Sequence, residues 1–456
     1  MVCARFCAGA LALLTAAAAP SARAGDQPVA IFHGFHQRFS DIEKSVCALA
    51  EQGYSHVQIP PAQKSSSGGS EWYFRYQPLD FSVIEGPGGE GEAELKRLID
   101  TAHRCNVKVI ADVVFNHMTS DPKFTGLDKF NGFAKGDFHE RCGVNYDDDD
   151  NSTEIRCWLN GDLPDLKQEN ESVRAVQKKH IRKLLDLGID GFRFDAAKHM
   201  QARFVDEYVD YIDRESHGAT WNYLEVIPDR GTKLDFYSWI AAVTDFQLYN
   251  TLTDAFRAKG SLKSLRLASA FPDSRSVTFG SNHDTRLNIG SNHATQPINP
   301  CDTGDERDCV LAAAYVLARE SGTPLILNDD NLVPFIPAGV KFRRIMRQRA
   351  EQGKKTQEHV LGVVDSHTLL VMERGEEGFF VLNKAAEPFD VHVLDMTLTN
   401  LEGCYRELRN GFTVAIQRNA TGAKFVTRWG ARDRGGLRIE AREALYFIRE
   451  PFSSCQ

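Results

Sequence analysis

Three acidic residues stand at or just after the ends of short β-rich runs: Asp195 behind Gly191–Phe194, Glu225 behind Tyr223 and Leu224, and Asp284 behind Asn282 and His283. Two carboxyl groups held about 5 Å apart can break a glycosidic bond by double displacement. One attacks the anomeric carbon as a carboxylate while the other protonates the departing oxygen. The acid must keep its proton at working pH, which calls for burial and neighbouring charge. Alone, each of these residues reads as a surface or helix-capping acid. Their shared place at strand ends changes that reading, because the C-terminal strand ends of a (β/α)8 barrel converge on one mouth.

The elements that would put them there form a rhythm. Val29–Phe32, Tyr54–Ile59, Val107–Val114, Gly191–Phe194, Tyr223–Val226, Val243–Phe246, Val277–Phe279 and Pro324–Leu327 read as buried strands. Helical patterns lie between them: Ile42–Leu49 with Asp41 near its start, the face Leu95, Leu98, Ile99 and Ala102, and Val173–Leu187 stopped by Gly188. Eight strand runs alternating with helices point to parallel βαβ units. The span 117–165 breaks the rhythm. Rich in Asp, Gly, Asn and Lys, it reads as a functional loop or small subdomain. Its Asp147–Asp150 run is either a solvated acidic turn or a set of oxygen ligands for a hard cation. Past about residue 353, Val360–Val364, Leu369–Glu373, Phe379–Asn383, Phe389–Leu394, Phe412–Gln417 and Ala444–Ile448 are short β runs separated by turns. They suit a separate antiparallel β domain.

The chain of 456 residues exceeds one compact core, and its 42% hydrophobic and 25% charged residues suit a soluble globular protein. A net charge of −8 with no basic run argues against nucleic acid as a partner. Arg5, the apolar stretch Phe6–Ala19 and Ala22-Arg23-Ala24 read as a secretory signal cut after Ala24. The stretch is shorter than the ~20 residues of a membrane span, so the mature chain is expected to be extracellular and free of the membrane. Cleavage removes Cys3 and Cys7, leaving Cys47, Cys105, Cys142, Cys157, Cys301, Cys309, Cys404 and Cys455. This even set lacks zinc spacing and suggests disulfides, with connectivity open. Asn151, Asn170 and Asn419 lie in glycosylation sequons.

Five motifs give the acids a context: Asp112–His117, Leu163–Leu166, Gly191–His199, Glu225–Ile227 and Phe279–Asp284. In this order they resemble the signatures of the α-amylase family of glycoside hydrolases, and the likeness covers most of the mature chain. The resemblance implies a (β/α)8 TIM barrel with a small inserted domain and a C-terminal antiparallel β-sandwich domain. Residues 1–24 would be the signal, 25–116 and 166–352 the barrel, 117–165 the insertion and 353–456 the β domain. It implies Asp195 as nucleophile, Glu225 as general acid/base and Asp284 as a third carboxylate that distorts and holds the sugar. Arg193 falls on the same strand face as Asp195 and can orient it through a charge-assisted hydrogen bond. His117 and His283 match residues that bind sugar hydroxyls. Trp72–Pro78, which includes Gln77, is similar to the family's aromatic segment, with Tyr76 under the reacting ring and Trp72 farther out. Lys198 and His199 resemble a pair that contacts glucose units beyond the scissile bond.

The same likeness implies Ca²⁺ held by Asn116, Asp165, the His199 carbonyl and backbone near Arg156, an oxygen set suited to that ion. Arg193 and Asn282 match two ligands of the chloride that some relatives bind. Lys341, Arg343 and Arg344 are the candidates for its third ligand. The resemblance further suggests Cys47–Cys105 and Cys142–Cys157 as disulfides. Cys301–Cys309 could close a short loop, and Cys404–Cys455 is left by elimination. The expected protein is a monomeric, secreted enzyme that cleaves α-1,4-glucosidic bonds within starch, glycogen and maltooligosaccharides, with retention. Two alternatives stand beside this. One is another activity of the family, a maltooligosaccharide-forming enzyme or a transglycosylase; the other is a catalytically silent glucan-binding protein on the same fold.

Overall fold

The computed structural model describes residues 27–69, 71–120, 126–257, 259–267, 273–287, 307–361, 367–391, 393–394, 400–418, 424–428 and 437–455. The expected signal, Cys301 and Asn419 lie outside them. The chain begins with β1 (Ile31–His33), α1 (Phe39–Gln52) and β2 (His56–Ile59). A hairpin of β3 (Gln63–Ser65) and β4 (Pro78–Ile84) precedes α2 (Glu92–Arg104) and β5 (Lys108–Val113). After the insertion come α3 (Glu171–Leu187), β6 (Gly191–Phe194), α4 (Ala202–Glu215), β7 (Tyr223–Leu224) and β8 (Ala242–Thr244). Then follow α5 (Phe246–Phe256), β9 (Ser276–Thr278), α6 (His283–Leu287), α7 (Arg307–Ala318), β10 (Thr323–Leu327) and α8 (Phe335–Glu351). The eight strands β1, β2 and β5 to β10 pair in parallel and close into a barrel.

Period-two alternation sorts the side chains of these strands. Phe32, Val57, Val109, Phe192, Leu224, Val243 and Ile326 point outward and pack with the helices. Ile31, Ile110, Tyr223, Val277 and Leu325 fill the barrel interior. One step further along, His33, Gln58, Asp112 and Arg193 take the inward positions. The barrel's upper layer is therefore polar. Two glycines fit this frame for steric reasons. Gly188 ends α3 at φ 102, where its N–H closes on the carbonyls of Leu184 and Leu185. At Gly191 a β-carbon would stand 2.0 Å from the Trp221 carbonyl oxygen.

The C-terminal strands are β11 (Glu358–Leu361), β12 (Leu369–Arg374), β13 (Gly378–Asn383), β14 (Phe389–Val391), β15 (Val393–Leu394), β16 (Gly403–Glu407), β17 (Thr413–Arg418), β18 (Lys424–Arg428), β19 (Leu437–Ile439) and β20 (Glu443–Glu450). Eight form an antiparallel sheet in the order β11-β12-β13-β20-β16-β17-β18-β15, and β14 pairs with β19. Leu370, Met372, Phe380, Leu382, Ala444 and Tyr446 join the core of the barrel helices. Their alternates Leu369, Val371, Phe379, Val381, Leu445 and Phe447 pack with Val391, Leu437 and Ile439 of the two-stranded sheet. Both faces of the strands β12, β13 and β20 are buried, as in a sandwich. Disulfides join Cys47 to Cys105, Cys142 to Cys157 and Cys404 to Cys455.

Several expected spans change. Phe246 belongs to α5, because Asp245 turns the chain and accepts the Leu248 N–H as a helix cap. The run Phe389–Leu394 is two strands in different sheets. The hairpin β3–β4 and the strands β16, β18 and β19 were not expected. No α-helix separates β7 from β8; a single 3-10 turn, Leu234–Phe236, stands there. Among the described residues no helix is long and apolar enough to cross a membrane.

Candidate active site

At the barrel mouth, Arg193 organises the acids. Its Nη1 donates to both oxygens of Asp112 at 2.8 Å and to Asp195 Oδ1 at 2.8 Å. Its Nη2 lies 2.6 Å from Glu225 Oε1. Glu225 Oε2 accepts the Ala196 N–H at 2.9 Å, and the carboxyls of Glu225 and Asp284 hydrogen-bond each other. The three strand-end acids thus meet, although they come from β6, β7 and the segment after β9. Asp112, which opens the first motif but was not singled out, completes the cluster. Its signal was the inward register two positions beyond Ile110. Tyr76 Oη also donates to it at 3.1 Å.

Three buried carboxyls around one guanidinium, with the half-buried Asp284 beside them, cannot all ionise cheaply. Burial pushes Asp112 up to about 6 against the pull of Arg193. Burial also drives Asp195 well above the carboxylate range; Arg193 opposes it, and Glu225 and Asp112 reinforce it. Asp284 rises for the same reason, with Glu225 beside it. Burial acts on Glu225 too, but Arg193, His283 and the Ala196 N–H together bring it below its ordinary value. The raised pKa expected of the acid therefore belongs to the coupled Glu225–Asp284 pair rather than to Glu225 alone.

The candidate sugar-binding residues gather around this cluster. The His283 ring stacks on Tyr76 (5.1 Å, 14°) and on Phe35 (4.8 Å, 22°), with Trp72 edge-on at 5.4 Å and His33 at 5.2 Å. Trp72 also stands edge-on to Tyr76 at 5.8 Å. His117 Nε2 donates to the Tyr76 carbonyl at 3.0 Å, so it fixes the aromatic segment. Gln77 Oε1 accepts the Thr119 hydroxyl at 2.9 Å. Burial holds His117 down to about 4 and His283 to about 3, which keeps both neutral. Lys198 is buried, paired with Asp229 and 4.4 Å from the Tyr146 ring. Tyr146 is exposed beside it. Sequence reasoning passed over Tyr146 and Asp229, since only the fold brings the insertion against the loop after β7.

The expected metal ligands Asn116 and Asp165 are fully buried, and Asn116 Oδ1 and Asp165 Oδ1 lack any hydrogen-bond partner. Burial pushes Asp165 up to about 7, with His139 Nδ1 donating to its other oxygen at 2.6 Å. Two unsatisfied hard oxygens fit a divalent cation. His199 is buried and donates from Nδ1 to the Glu154 carbonyl, two residues before Arg156, whose side chain is exposed. Asp147, Asp149 and Asp150 are exposed, and Arg230 pairs with Asp149, which suits the solvated turn.

The chloride expectation needs correction at its third ligand. Asn282 is buried beside His283 and accepts the Thr285 N–H. Arg343, however, donates to the carbonyls of Val29, Arg319, Glu320 and Gly322, at the strand starts. Arg344 donates to Ala50 and Glu51, and Lys341 is exposed. All three belong to α8, and the two arginines face the end of the barrel opposite Arg193.

A closed parallel barrel with carboxyls from several strand ends gathered at its mouth defines a glycoside hydrolase. Residues 50–232 match the family model "Alpha amylase, catalytic domain". An α-amylase of Aeromonas hydrophila is 30% identical over 367 residues, 71% of this chain and 75% of that protein. One of Phaedon cochleariae is 30% identical over 325 residues, covering 66% of this chain and 64% of the relative. In structure, α-amylase I of Eisenia fetida, solved with maltohexaose, matches with a TM-score of 0.72 at 19% identity, over 91% of this chain and 98% of that one. The chain belongs to the α-amylase family of glycoside hydrolases.

Proposed function

We propose that the protein is a secreted, calcium-binding α-amylase that cleaves α-1,4-glucosidic bonds inside starch, glycogen and related maltooligosaccharides with retention. One observation carries the reading: a single guanidinium grips Asp195 and Glu225 together, while Asp284 hydrogen-bonds Glu225. That is the compact pairing a double displacement requires. Asp195, held by Arg193, attacks the anomeric carbon and forms a glycosyl ester as the bond to the leaving oxygen breaks. The proton held by the Glu225–Asp284 pair passes through Glu225 to that oxygen. Glu225 then takes a proton from water, whose oxygen displaces Asp195 and restores the α configuration. Asp284, Tyr76, Trp72, His117 and His283 hold the sugar, and Lys198 and His199 serve the leaving-group side.

Calcium bound by Asn116, Asp165 and the carbonyls of His199 and the Arg156 region would supply charge to the two unsatisfied oxygens and tie insertion to barrel. The disulfides seen among the described residues suit an exported chain. Soluble starch incubated with wild type and Asp195→Asn, with and without a chelator, tests the reading. Internal cleavage by wild type, little by the variant and loss on chelation are expected. Wild-type rates from Asp195→Asn would overturn the mechanism.

A further inference from the structure

The turn after Asp195 does more than lead into α4. Ala196 lies in the left-handed region at φ 47 and ψ 36, a conformation that crowds a β-carbon and that few residues besides glycine adopt. Held there, its N–H donates to Glu225 Oε2 at 2.9 Å. The next amide, Ala197 N–H, donates to the Glu225 carbonyl at 3.0 Å. Two consecutive amides of one strained turn therefore fix both the side chain and the backbone of Glu225.

Such strain persists only where the surroundings over-determine it. Tyr237 Oη donates to the carbonyls of Lys198 and Met200 at 3.1 and 2.8 Å, and His199 Nδ1 donates to the Glu154 carbonyl at 3.0 Å. A further tie is ionic. Lys198 Nζ meets Asp229 Oδ2 at 2.5 Å. Asp229 belongs to the loop that starts at Glu225, and the Thr232 N–H holds its other oxygen at 2.8 Å. Thr232 Oγ1 in turn donates to the buried Glu154 Oε2 at 2.8 Å. The loop also backs onto the insertion: a β-carbon on Gly231 would lie 2.5 Å from the Asp150 carbonyl oxygen.

We propose that Asp229 is a positioning residue for the general acid, its ion pair with Lys198 closing a brace whose other end is the two amides that hold Glu225. The proposal rests on Glu225 being the acid/base. Without the Asp229 charge, Lys198 keeps only the longer ion pair to Glu154 Oε2 at 3.8 Å, the turn loosens from its left-handed conformation and the Ala196 N–H draws back. Arg193 holds Asp195 Oδ1 and Glu225 Oε1 alike; Asp195 has its own N–H on the Val113 carbonyl at 2.9 Å besides, whereas Glu225 Oε2 depends on the Ala196 amide. Proton delivery suffers, and attack on the anomeric carbon does not.

The test is a series of aryl maltotriosides whose phenols are similar in size but differ in acidity. A good leaving group needs no acid, so poor positioning of Glu225 steepens the dependence of kcat/KM on leaving-group pKa. Asp229→Asn is expected to lose about tenfold on the phenyl glycoside and less than about twofold on the dinitrophenyl one, a fraction of a full general-acid contribution. Lys198→Met, in which the pair is broken from the other side, is expected to show the same steepening. A lost sugar contact or a general loosening lowers every member alike. Thermal unfolding shows which variants fold, and either folded variant suffices. Plots parallel to wild type overturn the proposal. Glu225→Gln, run alongside, must give the steepest slope; a wild-type slope there would defeat the assignment of Glu225 itself.

Discussion

Replacing Arg193 by methionine keeps the length of the side chain and removes the guanidinium that faces Asp112, Asp195 and Glu225. All three acids are buried, and burial already pushes Asp112 and Asp195 upward against Arg193. Breaking a buried charge network from one side costs about 3–5 kcal/mol. The same size follows from linkage, since protonating one carboxyl of ordinary pKa near 4 at pH 7 costs about 4 kcal/mol. In the variant, the folded-state pKa of these acids lies further above the unfolded value. Between those two values the native state binds more protons than the unfolded chain, so stability falls as pH rises through the window. The expected loss is about 4 kcal/mol at pH 7 and about 1–2 kcal/mol at pH 5. Urea unfolding followed by tryptophan fluorescence at the two pH values reads it. Equal losses at both, or a loss under about 1 kcal/mol at pH 7, would refute the argument. Starch hydrolysis by the variant should fall by about a hundredfold or more at pH 7.

Two further outcomes follow from other groups. Lys384, buried in the C-terminal domain, donates to the carbonyls of Ala255, Arg257 and Gly260 at the end of α5. Lys384→Met should cost about 3 kcal/mol of stability, by unfolding midpoint, without altering the leaving-group dependence of kcat/KM; an unchanged midpoint would deny it a structural role. His283 is held down to about 3 by burial and Arg193, so its imidazole should stay neutral and show no NMR titration between pH 5 and 8. An inflection near 6.5 would place the ring in water rather than between Phe35 and Tyr76.

The barrel was legible because its strands carry continuous apolar runs between helical patterns. Gly191–Phe194 matches β6 residue for residue, and Gly188 ends α3 as its position suggested. The hairpin β3–β4 was hidden because its flanking segment, Trp72 to Gln77, reads as an aromatic platform. In the β domain, Lys424–Arg428 and Leu437–Ile439 are short runs that carry charged residues, and the partner of the second, Phe389–Val391, lies far off in sequence. At the site, residues inside motifs were visible. Tyr146 and Asp229 were not, because their meaning arises only where the insertion meets the loop after β7. Arg343 misled for a related reason: following the last strand says nothing of which end of the barrel a helical side chain faces.

The most direct test of the central claim is the anomeric form of the first product. Proton NMR, recorded within the first minutes of maltooligosaccharide cleavage and before mutarotation, distinguishes the two anomers. Double displacement through Asp195 predicts that the α-anomer appears first and the β-anomer grows in later. A β-anomer formed first would mean direct attack by water, and the roles given to Asp195 and Glu225 would be wrong.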